Sequence, residues 1–275
     1  MQPWQSGFVE TNGIRAHYTR TGGDKPPFVL AHGFSDDGLC WTAVADALCS
    51  DYDVIMPDAR AHGHSSAPKK GYGQVNQAKD LFGIIQSLEL KQPIVLGHSM
   101  GAVTTLLLAC LYPGIPGAVV LEDPPAFWMT REETPDEGKL DNGLKTWALQ
   151  LRNHSREDLI AQAQDENPAW AEVEFGPWAD SKLLFNPVMV DNFFDEHNFS
   201  SINWDQILPQ AVCPMLVISA DPELGSILTP ADIDVLKKAI PHLQKKHLAN
   251  AGHSIHRDQF KAYLRTVKSF LAKAV

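Results

Sequence analysis

The first chemical signal in this sequence is a pentapeptide, Gly97-His98-Ser99-Met100-Gly101, set directly after the apolar run Pro93 to Gly97 and directly before the apolar stretch Ala102 to Leu111. This is G-x-S-x-G at a strand-to-helix junction, the context in which the pattern presents a serine at the apex of a sharp turn. Such a turn is crowded and its backbone unfavourable, so glycines must flank the serine. The hydroxyl then sits at a helix N-terminus, where backbone N–H groups and the helix dipole favour developing negative charge. That is a setting for an activated nucleophile. The competing reading is a tight turn whose glycines serve packing alone; the bare pattern would permit it, because Gly and Ser are common residues.

A serine hydroxyl is a weak nucleophile until a base takes its proton, and that base needs a third group to hold its tautomer. Among eleven histidines, His253 stands out, because Ala251-Gly252-His253-Ser254 follows a short predicted strand and precedes the last predicted helix. Such a loop lies at the C-terminal edge of a parallel sheet, where functional groups gather. Ser99 is therefore expected as nucleophile and His253 as its general base. The His62-x-His64 pair has no third ligand beside it and reads as a polar turn rather than a metal site.

The elements that would hold these residues are short, β-rich apolar runs: Phe8-Val9, Ile14 to Tyr18, Phe28 to Ala31, Val54 to Met56, Ile94 to Gly97, Ala118 to Leu121, Met215 to Ser219, and a short strand near Lys245 to Leu248. Several are continuous rather than alternating, as strands covered on both faces are. Helical segments lie between them, including Trp41 to Leu48, Val75 to Leu88 and Gly101 to Leu111, so a mostly parallel sheet with right-handed crossovers is expected. After Leu121 the regularity breaks. Glu122-Asp123-Pro124-Pro125 begins a stretch with five of the seven tryptophans (Trp128, Trp147, Trp170, Trp178, Trp204). Helical spacing in Gly143 to Arg152 and in Arg156 to Gln164, with Ser155 as N-cap, makes it a mainly helical insertion. The sheet pattern resumes at Cys213, followed by a helix over Pro230 to Ile240 and a closing helix from about Arg257 to Ala272.

With 275 residues, 44% of them hydrophobic, the chain can bury one substantial core. Its net charge of -10 argues against nucleic-acid or anionic-membrane partners. No stretch approaches the roughly 20 apolar residues of a membrane helix, and no leader pattern opens the chain, so a cytoplasmic location is expected. Cys40, Cys49, Cys110 and Cys213 are scattered and indicate neither a disulfide framework nor a zinc site.

Four motifs in order, His32-Gly33-Phe34, Asp58-Ala59-Arg60-Ala61-His62-Gly63-His64-Ser65, the serine elbow and Ala251-Gly252-His253, resemble the α/β-hydrolase superfamily over essentially the whole chain. The resemblance implies a mostly parallel eight-stranded sheet flanked by helices. It also implies a core of residues 1–123 and 208–275, with residues 124–207 a mainly helical lid inserted after the sixth strand. The backbone N–H groups of Phe34 and Met100 would form the oxyanion hole, and His32 would brace that loop. The triad acid usually follows the strand Pro214 to Ala220, which favours Asp221 over Glu223. Glu122 or Asp123, after the preceding strand, is a third option, set against a role as a cap at the start of the insertion. Ala61 departs from the family pattern, which often has glycine there, and puts only the turn shape in question.

The implied activity is cleavage of a carboxylic ester, lactone or related acyl compound through an acyl-enzyme, without cofactor or metal. The alternatives are carbon-carbon bond hydrolysis, cofactor-free perhydrolase chemistry and, in another class, a triad-bearing ligand receptor. Epoxide hydrolases and haloalkane dehalogenases use an aspartate where Ser99 stands. The aromatic content of the insertion, Phe127-Trp128-Met129 and Phe193-Phe194 included, suggests a small-molecule substrate with an apolar or aromatic group, and the protein is expected as a monomer or homodimer.

Overall fold

The structure, a computed structural model, describes residues 4–129, 143, 146–193 and 202–274. Its eight strands form one sheet in the order β1-β2-β4-β3-β5-β6-β7-β8. They span Gln5–Thr11, Ile14–Arg20, Pro27–Ala31, Asp53–Pro57, Ile94–His98, Ala118–Glu122, Met215–Ser219 and Gln244–His247. β1 and β2 form an antiparallel hairpin, and β2 runs antiparallel to β4; all remaining pairs are parallel. The hairpin turns on Asn12 and Gly13, at φ +44° and +77°, the paired positive angles that match a two-residue turn to strand twist.

β4, β5, β6 and β7 are buried at every position, which explains their unbroken apolar runs. Alternate residues feed two cores. Phe28, Leu30, Leu96, Val120 and Ile218 face Trp41, Tyr263, Val267 and Phe270. Val119, Leu121 and Val217 face Ala102, Val103, Leu106 and Leu107 on the opposite side. The edge strand β8 is exposed throughout.

The helices include α1 (Thr42–Leu48), α2 (Gln74–Ser87), α3 (Met100–Leu111), α4 (Arg156–Glu166), α5 (Glu172–Leu184), α6 (Val188–Phe193), α7 (Trp204–Ile207), α8 (Pro230–Ala239), α9 (Ile255–Asp258) and α10 (Phe260–Ala274). α3 is buried from Met100 to Cys110, so it shows no polar face. α4 to α7 lie between β6 and β7. Ser155 opens α4 through a reciprocal capping box with Asp158. α4 and α5 share a small core of Leu159, Ala163, Phe175, Trp178 and Ala179. Of the helix expected over Gly143 to Arg152, positions 144 and 145 lie outside the described residues, as does Phe194. Trp128 and Trp204 pack edge to face on each other within the second of these cores, and the Trp128 indole donates to the Asp232 carbonyl at 3.1 Å. These two tryptophans therefore pack the ends of the insertion onto the sheet. Among the described residues, no helix is long and apolar enough to cross a membrane.

Burial separates the consequences of substitution along the sheet. Leu96→Ala, at a fully covered site of β5, is expected to cost about 2–5 kcal/mol. Lys246→Ala, on exposed β8, should stay within about 0.5 kcal/mol. Thermal unfolding of both variants checks the contrast.

Candidate active site

β5 ends at His98 and α3 begins at Met100, leaving Ser99 alone at the corner with φ +53° and ψ −119°. A non-glycine residue in that region is strained by about 1–3 kcal/mol and must be held there by its surroundings. The Ser99 N–H donates to the Glu122 carbonyl at 2.9 Å. A side chain at Gly101 would meet the backbone carbonyl oxygens of Ala31 and His32, and one at Gly97 would meet the carbonyl of Gly101. Both glycines are therefore required by close approach of β3, β5 and α3.

His98 and Glu122 are register partners on β5 and β6, so Ser99 and Asp123 stand next to each other one step beyond the paired strands. Asp123 is fully buried, with φ +41°. Its Oδ2 lies 2.6 Å from His253 Nδ1 and also accepts from the Ile227 N–H at 2.9 Å. Its Oδ1 accepts from Ser226 Oγ at 2.7 Å and from the Leu228 N–H at 3.1 Å. With Nδ1 donating to this fixed carboxylate, the imidazole presents Nε2 as an acceptor. The His253 side chain is 34% exposed, so the ring remains accessible. The loop bearing it is fastened to the elbow, because His98 Nε2 donates to the His253 carbonyl at 2.9 Å and the two rings lie 4.6 Å apart.

The structure does not bring Asp221, the acid expected from the sequence, to His253. Asp221, at the end of β7, accepts from His247 Nε2 at 2.9 Å and from the Asn250 N–H at 2.7 Å, not from His253. β7 lies one strand further from β5 than β6 does. Asp221 instead shapes the turn leading to His253, its own N–H donating to the Ala251 carbonyl at 3.1 Å. Glu223 is exposed on the short turn Pro222–Leu224. Glu122 faces the other way, with Oε1 accepting from the His256 N–H at 2.9 Å and from His256 Nδ1 at 2.8 Å. Burial alone would push the Glu122 carboxyl up, but His256 and His98 pull it down to about 2. Two consecutive carboxylates at the end of a buried strand were the available signal, since each must find partners.

The loop after β3 rests on two imidazoles. His32 Nδ1 donates to the Gly33 carbonyl at 2.8 Å while its Nε2 accepts from the Ala59 N–H at 2.9 Å. His62 Nδ1 donates to the Arg60 carbonyl at 2.9 Å while its Nε2 accepts from the Ser35 N–H at 3.2 Å. Both rings are thus neutral; burial lowers His32 below its ordinary value and pushes His62 down to about 3. Gly33 closes onto the elbow, since a Cβ there would lie 2.8 Å from His98 Nδ1. Phe34 packs edge-on to Phe185 at 5.2 Å. Met100 is the first residue of α3, and the first N–H groups of a helix have no partner within it. Ala61 adopts φ +62°, so the turn is left-handed there despite the missing glycine. Asp258 accepts from the Gly252 N–H at 2.7 Å.

This arrangement of elbow, imidazole and buried carboxylate on a mostly parallel sheet can be set beside known proteins. A profile of the alpha/beta hydrolase fold matches residues 26–259. The chain belongs to the α/β-hydrolase family. N-formylmaleamate deformylase of Pseudomonas putida is 29% identical over 96% of each chain. The crystal structure of E-2-(acetamidomethylene)succinate hydrolase superimposes with a TM-score of 0.81 at 19% identity, covering 98% of this chain and all of that one. The enol-lactonase of Burkholderia xenovorans LB400 gives 0.74 at 24% identity, covering 97% of this chain and 100% of its own. At such identities the two structures speak for the fold. The protein is a hydrolytic enzyme of the α/β-hydrolase family, and among its described residues no group of three or more His, Cys, Asp or Glu side chains could hold a metal.

Buried neutral histidines carry a pH signature. Burial pushes His98 to about 3, as it does His62. Both values lie below the ordinary 6.5, so between about pH 6.5 and pH 3 the unfolded chain binds more protons than the folded one. Stability is complete above pH 6.5 and is lost as pH falls, by about 2 kcal/mol for each ring at pH 5. Asp37, raised to about 7 by burial, acts in the opposite sense between pH 8 and pH 5, so urea midpoints at the two pH values are compared in an Asp37→Asn background, where equal midpoints would contradict the prediction.

Proposed function

We propose that this enzyme cleaves a carboxylic ester, lactone or related acyl compound through an acyl-enzyme. Ser99 is the nucleophile, His253 the general base and Asp123 the acid that orients it. Ser99 Oγ attacks the substrate carbonyl while His253 Nε2 takes its proton, and Asp123 holds the imidazole in the required tautomer. The tetrahedral oxyanion is met by the backbone N–H groups of Phe34 and Met100. His253 then returns the proton to the leaving group, and water, activated in the same way, releases the acid and frees Ser99.

The observation that carries this reading is the 2.6 Å contact of His253 with Asp123, made beside a strained Ser99 on the neighbouring strand. Relatives named for deformylation, for amide-bearing succinate hydrolysis and for lactone opening fit the same acyl chemistry. An apolar cluster of Tyr72, Met100, Phe185, Met189 and Val190, with Phe34 packed against it, supports a substrate with an apolar group. Since Phe185, Met189 and Val190 come from the stretch between β6 and β7, that stretch would act as a lid, excluding water from the acyl-enzyme.

Ser99→Ala should remove hydrolysis of p-nitrophenyl esters and abolish fluorophosphonate labelling. Asp123→Asn should lower kcat by a factor on the order of 10^4, through the wrong imidazole tautomer. Asp221→Asn, which alters contacts with His247 and Asn250 but none with His253, should cost less than about tenfold. Full activity in Ser99→Ala, or equal losses in the two aspartate variants, would overturn the assignment.

A further inference from the structure

A second charged cluster lies behind the oxyanion loop, and no step of the proposed chemistry uses it. Asp36 follows Phe34 and Ser35 in that loop and is buried. Its Oδ1 is 2.5 Å from Lys182 Nζ, and its Oδ2 is 3.0 Å from Arg257. Arg257 in turn lies 3.3 Å from Glu174, and Lys182 Nζ also donates to the Ser35 carbonyl at 3.1 Å. Lys182 and Glu174 belong to α5, near its two ends, whereas Arg257 is four residues after His253. A parallel link runs from Trp170, whose indole donates to Asp258 Oδ1 at 2.7 Å, while Asp258 Oδ2 accepts from the Gly252 N–H.

The insertion thus grips both loops on which the chemistry would depend, one at Ser35-Asp36 and one at Gly252. Neighbouring carboxyls in the oxyanion loop show what the cations do. Burial pushes Asp37 up to about 7, with Asp58 and Asp36 adding to the effect, whereas burial of Asp36 is outweighed by Lys182 and Arg257, which hold it well below the usual range. Four buried charges are a poor way to gain stability, since well-packed apolar residues of similar volume often do as well or better. What they supply is fixed geometry: a carboxylate with one cation on each oxygen has a single position, and so has the backbone that carries it.

We infer that Lys182 is a positioning residue: through Asp36 and the Ser35 carbonyl it sets the oxyanion loop, so that the seating of α5 on the core determines how well Ser99 chemistry proceeds. The inference rests on the serine-hydrolase reading for its kinetic consequence, but its structural half stands apart from it. Lys182→Met keeps the side-chain length and leaves Asp36 paired with Arg257. In this variant kcat per fluorophosphonate-titrated site should fall about 10- to 100-fold, as a small misplacement of a catalytic group does. KM should stay within about twofold, and Lys182→Arg should recover most of kcat. Amide hydrogen exchange at residues 33–37 should speed up by about tenfold or more while β5 and β6 keep their protection.

Unchanged kcat per titrated site, with or without a lower Tm, would overturn the inference, and so would exchange that accelerates evenly over the whole chain. Should Lys182→Met fail to fold, Lys182→Gln is measured in the same way. If the wild-type enzyme neither hydrolyses esters nor labels at Ser99, the serine-hydrolase reading falls, and the exchange pattern alone decides whether Lys182 holds the loop.

Discussion

The positive φ of Ser99 is the constraint around which the rest is arranged. A serine does not rest at φ +53° by preference, and nothing in its own side chain rewards the conformation. It is held because β3, β5 and α3 approach so closely that Gly97 and Gly101 have carbonyl oxygens where side chains would be, and because its N–H is drawn to the Glu122 carbonyl. The apolar interior of the sheet supports this strain: α3 is buried along almost its whole length, so the helix cannot shift to relax the corner. Core packing and the proposed nucleophile are one problem in this molecule.

Adjacent carboxylates at the end of β6 then divide two tasks. Glu122 turns to His256 and anchors the start of α9, while Asp123 turns to His253 and fixes its ring. Because consecutive residues leaving a strand point to opposite sides, two acids in succession can hold two imidazoles three residues apart in the chain. His98 adds a third tie, to the His253 carbonyl. The ring that would shuttle protons is therefore located through its backbone, its Nδ1 and the next turn of chain, leaving Nε2 free for chemistry.

How much of this could be read from residues alone follows from what periodicity and spacing encode. The central strands were legible because burial on both faces writes an unbroken apolar run, and even exposed β8, with no such run, could be placed to within a residue. The turn at Ser99 and the loop at His253 were legible because their local motifs name them. The acid was not. Asp221 and Asp123 each follow a strand, and choosing between them requires knowing that β6, not β7, borders β5 and that Asn250 and His247 turn Asp221 aside. Order along the chain does not contain that adjacency. For the same reason the tie between Lys182 and Asp36, 146 residues apart, leaves no local trace. The tryptophans of the insertion were visible as large aromatics, but only the fold separates Trp128 and Trp204, which pack on the sheet, from Trp178, which packs within the insertion.

The distribution of charge follows from the same geometry. Each cation that is buried among the described residues, Arg60, Lys182 and Arg257, lies against a carboxylate, Arg60 on Asp80 and the other two on Asp36. None is spare for an anion in the site. The loop that would meet a developing oxyanion is braced instead by His32 and His62, both neutral, each spending one nitrogen as donor and one as acceptor to backbone. Stabilisation of negative charge in such a site comes from oriented peptide dipoles and the α3 N-terminus rather than from a formal positive charge. Dipoles lose their effect with small changes in angle, whereas a mobile cation follows the charge it serves. A site built on dipoles therefore needs rigid supports, which gives a physical reason for neutral histidines and a buried ion cluster beneath one short loop.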